Sequence, residues 1–93
     1  MTGFDDRSIP RLAPGVRLRW DELRQKHLLL YPEGALVLNP TAAAVLQLCD
    51  GVRSVEAVIA ALQEQYGGAA VAADVRELLT RVSERGLVVE AHG

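Results

Sequence analysis

Between Val16 and Leu38 apolar and polar residues first alternate and then run together, and the change of rhythm predicts three short strands. Val16, Leu18 and Trp20 fall on one side of an extended chain and Arg17, Arg19 and Asp21 on the other, the two-residue period of a half-buried strand. The polar stretch Glu22 to Lys26 interrupts it, and His27 to Tyr31 resumes as a second strand. Pro32-Glu33-Gly34 reverses the chain, since proline suits an early turn position and glycine tolerates unusual backbone angles. Ala35 to Leu38 is the third strand.

From Asn39 the period lengthens. An asparagine side chain can accept from an orphan amide of a first helical turn, and proline fits the first helical position, so Asn39-Pro40 opens a helix expected to reach about Cys49. Asp50-Gly51 stops it. Ser54 caps a second helix in which Val55, Val58, Ile59, Leu62 and Tyr66 share one face, and Gly67-Gly68 ends it. A third is clearest from Ala73 to Arg85, with Val75, Leu78, Leu79 and Val82 on one face, Glu77 one turn before Arg81, and Gly86 as its stop. Gly67 to Ala73 reads as a flexible connection and Leu87-Val88-Val89 as a short extended tail. Residues 1–15, with Pro10, Pro14 and no sustained period, read as an extended N-terminal arm.

The expected fold class is therefore α+β: a small winged-helix-like domain over residues 16–93, with a three-stranded antiparallel sheet followed by three helices packed on one face. Ninety-three residues can bury one core but hardly two. Aromatics make up only 4%, so that core must be aliphatic.

Charge narrows the function more than it names it. Twelve acidic against ten basic residues leave a net charge of -2, which gives no general attraction to nucleic acid or to an anionic membrane. No apolar stretch approaches the ~18 residues that span a bilayer. One cysteine cannot form an internal disulfide, and no secretory pattern opens the chain, so the expected location is cytoplasmic.

Catalytic raw material is sparse. Cys49 sits among Leu46 and Leu48 as a small hydrophobe would. The two histidines, His27 and His92, have no zinc-type spacing with other ligands, and Gly67-Gly68 follows a helix where a phosphate loop would follow a strand. Glu56, Glu64, Glu77 and Glu84 occupy polar helix faces. Neither enzymatic activity nor a cofactor or metal is expected. A DNA-binding winged-helix protein is the alternative, with Arg76, Arg81 and Arg85 on a recognition helix. Against it stand Glu77 and Glu84 on the same helix and a hairpin, Tyr31 to Ala35, without a basic residue.

The second and third strands are apolar on both faces, whereas one helical layer covers one face. Either the arm or the tail covers the other, or an open strand edge beside an apolar helix accepts an extended peptide.

Pro14-Gly15-Val16-Arg17-Leu18, Leu29-Leu30-Tyr31-Pro32-Glu33-Gly34, Leu38-Asn39, Leu48-Cys49-Asp50-Gly51, Asp74-Val75, Leu78-Leu79 and Gly86-Leu87 follow one another in a distinctive order and spacing. Together these stretches resemble the PqqD family of peptide chaperones, the prototype of peptide-recognition domains in pathways that modify ribosomally made peptides. The resemblance implies a non-catalytic domain that binds a precursor peptide by strand addition and presents it to a radical S-adenosylmethionine enzyme in pyrroloquinoline quinone (PQQ) biosynthesis. It also implies a peptide site along the third strand and third helix: Leu36, Val37, Leu38 and Asn39 on one wall, and Val75, Arg76, Leu79 and Val82 on the other. An unpaired edge leaves both a monomer and a strand-exchanged dimer open.

Overall fold

The computed structural model describes residues 4–68 and 70–91. In chain order its elements are β1 (Pro10–Leu12), β2 (Arg17–Asp21), β3 (Lys26–Tyr31), β4 (Gly34–Leu38), α1 (Pro40–Gln47), α2 (Val55–Tyr66), α3 (Ala70–Glu84) and β5 (Val88–Glu90). The three expected strands form an antiparallel meander in the order β2-β3-β4, and three helices follow, as expected of the α+β class.

Register explains how the meander sorts its side chains. Leu18, Leu29 and Leu36 lie opposite one another, as do Trp20, His27 and Leu38, and this row faces the helices. Leu29 and Leu38 are buried there with Val45, Leu46, Val58, Leu62, Val75, Leu79 and Val82 in one aliphatic core. A one-residue slip would turn the whole row to solvent, so burial fixes the pairing. On the opposite face Arg17, Leu30 and Ala35 form one row and Arg19, Leu28 and Val37 the next. No helix covers this face among the described residues: Leu28 and Leu30 stay outside the core cluster, and Val37 is 56% exposed.

Helix starts follow the capping residues. Asn39 Oδ1 accepts from the Ala42 amide at 2.7 Å and Ser54 Oγ from the Ala57 amide at 3.1 Å, each satisfying an otherwise orphan donor. Between α1 and α2, Asp50 accepts from the amides of Val52 and Arg53. These bonds hold its carboxyl below the usual carboxylate range. Gly51 takes φ +79 beside Arg11, so any side chain there would be strained by the backbone angle. Helix α3 begins at Ala70, and the segment expected to be flexible from Gly67 to Ala73 is thus shorter. Alanine is the strongest helix former, and Ala70 to Ala73 extend the helix backwards.

The arm and the tail pair with each other. Strands β1 and β5 are antiparallel, with Pro10 opposite Glu90 and Leu12 opposite Val88. The arm is also sewn to α2: Ser8 and Asp6 carbonyls accept from the amides of Val55 at 2.8 Å and Glu56 at 3.1 Å, two first-turn donors. Gly51 donates to the Pro10 carbonyl and Ala91 to that of Ile9. The N-terminal stretch from Asp5 is therefore part of the packed unit, and the first three residues of the expected arm lie outside the described ones.

Candidate functional site

Two borders of the meander lack a partner strand among the described residues, β2 and β4, and their chemistry differs. Strand β2 carries Arg17, Arg19 and Asp21, the kind of charge that protects an edge from unwanted pairing. Strand β4 reads Gly-Ala-Leu-Val-Leu and carries none. In the two-residue hairpin around Pro32-Glu33, Tyr31 and Gly34 flank the turn as a bonded pair, and bonded pairs alternate along an antiparallel ladder. Leu36 and Leu38 thus spend their backbone groups on β3. Ala35 and Val37 direct theirs outward.

Helix α3 meets the hairpin end of β4 through the residue that follows it and bounds a groove beyond the other end. At the hairpin, Arg85 donates to the Tyr31 hydroxyl at 3.2 Å and lies 5.9 Å from its ring centroid. At the other end a groove of about 260 Å³ separates α3 from the start of α1, lined by Asn39, Thr41, Ala42, Val45, Asp74, Glu77, Leu78 and Arg81. Its lining is graded: an apolar floor at Val45 and Leu78, with both signs of charge at the rim.

The eight residues expected to form the site divide accordingly. Leu36, Val37, Leu38 and Asn39 do stand together on the β4 border, with Leu38 turned into the core and Val37 exposed. The side-chain oxygen of Asn39 is engaged as the cap of α1 and its carbonyl accepts from Ala43. On α3 the expected residues fall in different places. Val75, Leu79 and Val82 are buried and form the stripe that packs the helix into the core. Arg76 is paired with Asp6 of the N-terminal stretch, on another side of the helix. The residues that face the groove are Asp74, Glu77, Leu78 and Arg81. Their spacing of three, one and three is itself a helical stripe, and it is the signal that sequence reasoning passed over.

Elsewhere the candidate chemistry is quiet. Burial, with a smaller push from the Asp50 charge, raises the Cys49 thiol to about 12. Its sulfur donates to the Val45 carbonyl at 3.3 Å. Among the described residues no group of three or more His, Cys, Asp or Glu could hold a metal ion, and no helix is long and apolar enough to cross a membrane. His92, considered with His27 as a ligand, lies outside the described residues.

These features define a class: a small α+β domain, helices on one face of a three-stranded meander, with one uncharged strand border open beside a helical groove. Within it the chain belongs to the PqqD family, whose model, described as Coenzyme PQQ synthesis protein D (PqqD), matches residues 26–88. A protein of Methylococcus capsulatus described as a PqqA binding protein is 39% identical over 83 residues, 89% of either chain. The Bifunctional coenzyme PQQ synthesis protein C/D of Methylorubrum extorquens is 40% identical over 86 residues, 90% of this chain and 23% of that protein. Among solved structures, the fold is similar to the solution NMR structure of the PqqD truncation of Methylobacterium extorquens PqqCD. That truncation is described as a functional and stand-alone recognition element for ribosomally synthesized and post-translationally modified peptides. The match has a TM-score of 0.81 and 38% identity, covering 95% of this chain and 96% of that one.

Proposed function

We propose that this protein is a non-catalytic peptide chaperone of PQQ biosynthesis that binds the ribosomally made precursor PqqA by strand addition at β4. It then holds the peptide for a radical S-adenosylmethionine enzyme. The observation that carries the reading is the β4 border: no charged residue guards it, Ala35 and Val37 turn their backbone groups outward, and the α3 groove opens at its Asn39 end. The names of the relatives supply the guest, since the similar Methylococcus protein is a PqqA binding protein. The fused C/D relative supports work at close quarters with an enzyme.

In this reading a disordered peptide is ordered on docking, at a cost offset by ladder bonds along β4 and by apolar side chains set against Leu78 and Val45. Arg81 offers the charge-assisted contact for which Arg76, held by Asp6, is less free. Docking raises the local concentration of peptide at the partner without any step of chemistry by this chain, which would act in the cytoplasm.

Val37→Pro tests it. Proline removes one outward donor, leaves the bonded pairs to β3 intact and is tolerated on an edge strand. Calorimetry with synthetic PqqA should show binding to the parent protein and at least a tenfold loss in a variant whose circular dichroism is unchanged. Parent-like affinity in the folded variant, or a gel shift of random duplex by the parent in place of peptide binding, would refute the reading.

A further inference from the structure

A second and larger recess lies on the other side of α1. Its volume is about 580 Å³, within the range of pockets that enclose a small organic ligand. The β2-β3 turn, the end of β4, α1 and the last turn of α2 form its walls, through Trp20, His27, Leu38, Ala44, Leu48 and Tyr66 among others. Two of the chain's few aromatics thus border one opening while staying 44% (Trp20) and 53% (Tyr66) exposed.

The recess is built in advance of any occupant. Trp20 meets the His27 ring edge-on, with centroids 4.9 Å apart, and His27 in turn lies 3.3 Å from the side-chain nitrogen of Gln47. Lys26 is the one charged residue of the lining, and its other polar groups are side-chain amides, the imidazole, the Tyr66 hydroxyl and the Trp20 indole N–H. Such a surface suits a flat apolar group with a polar margin, because aromatic rings pack edge to face and side-chain amides can satisfy a hydroxyl or a peptide group. It suits neither a phosphate nor a strongly charged segment.

Continuity names the occupant. Asn39 lines both this recess and the groove against α3, so a chain that follows β4 to its end arrives between the two. We propose that the recess seats a large apolar side chain, aromatic by preference, from the flank of the bound peptide that runs on past Asn39. This rests on the strand-addition reading for its guest. It adds a second point of selection, by side-chain shape, to a border that reads mainly backbone.

Nuclear magnetic resonance titration with synthetic PqqA reads both places at once. The amides of Ala35 and Val37 report the border, and the indole N–H of Trp20, the chain's one tryptophan, reports the recess. Both sets should move and saturate together. Ala44→Phe fills the recess from α1, away from the outward-facing Ala35 and Val37, and should weaken binding by about tenfold or more, the amount expected when one large apolar side chain loses its seat. Tyr66→Ala, at an exposed helix end where folding is not at stake, should weaken it in the same direction. If Ala35 and Val37 move while the indole stays still and both variants bind like the parent, the recess is overturned and the border stands. Movement of the indole alone overturns strand addition, and with it the route along β4 by which the peptide is proposed to reach the recess. No movement at either place overturns both.

Discussion

Deleting the first nine residues should destabilise the domain substantially while leaving peptide binding almost untouched. The deletion removes the carbonyls that accept from Val55, Glu56 and Ala91, at 2.8, 3.1 and 2.7 Å. At about 0.5–1.5 kcal/mol net for each bond the loss is about 1.5–4.5 kcal/mol. Fixing the segment also costs backbone entropy, so the lower part of that range, about 2 kcal/mol, is the expectation. The Asp6 to Arg76 pair is half exposed and adds little. A domain of this size has a stability on the order of 5–14 kcal/mol, so the loss is a sizeable share. At about 4–8 °C per kcal/mol it appears as a fall in Tm of about 8–16 °C by circular dichroism. Affinity for PqqA should stay within about twofold, because Arg76 and the groove-facing Arg81 are about 140° apart around the helix. A fall of less than about 4 °C would refute the claim that this segment is structural, and a large loss of affinity in the folded remainder would refute the placing of the site.

Asn39→Ala should cost about 1 kcal/mol by removing the cap of α1, seen as a lower urea midpoint, whereas Asn39→Asp keeps an acceptor and should hold its stability. A thiol reagent should label native Cys49 only slowly near neutral pH, since a thiol at about 12 is ionised to roughly one part in ten thousand at about pH 8. Its folded value lies above the ordinary 9.0, so stability is intact below 9.0 and falls as pH rises toward 12. Stoichiometric labelling of the native protein within minutes would contradict this.

What could be read from the residues was whatever depends on near neighbours. The caps Asn39 and Ser54, the turn at Pro32-Glu33 and the periodicity of Val55 to Tyr66 each act within a few positions, and the elements lie where those signals put them. Two things were not legible. The pairing of Pro10–Leu12 with Val88–Glu90 joins distant segments of three residues, too short to show a period, so nothing local announces it. The facing of α3 was ambiguous because Leu78 and Leu79 are adjacent: one belongs to the packing stripe and the other to the groove, and only the sheet beneath decides which. The border itself was partly legible, since the contrast between an uncharged third strand and a charged first one is a property of composition.

The clasp between β1 and β5 holds Pro10 and Glu90 about 5 Å apart, and from Pro10 the lead-in runs back over the start of α2 to Asp5. A graft of this unit onto a host protein must therefore carry residues 5–9 with it, and its two junctions fall at separate places, one before Asp5 and one after Ala91.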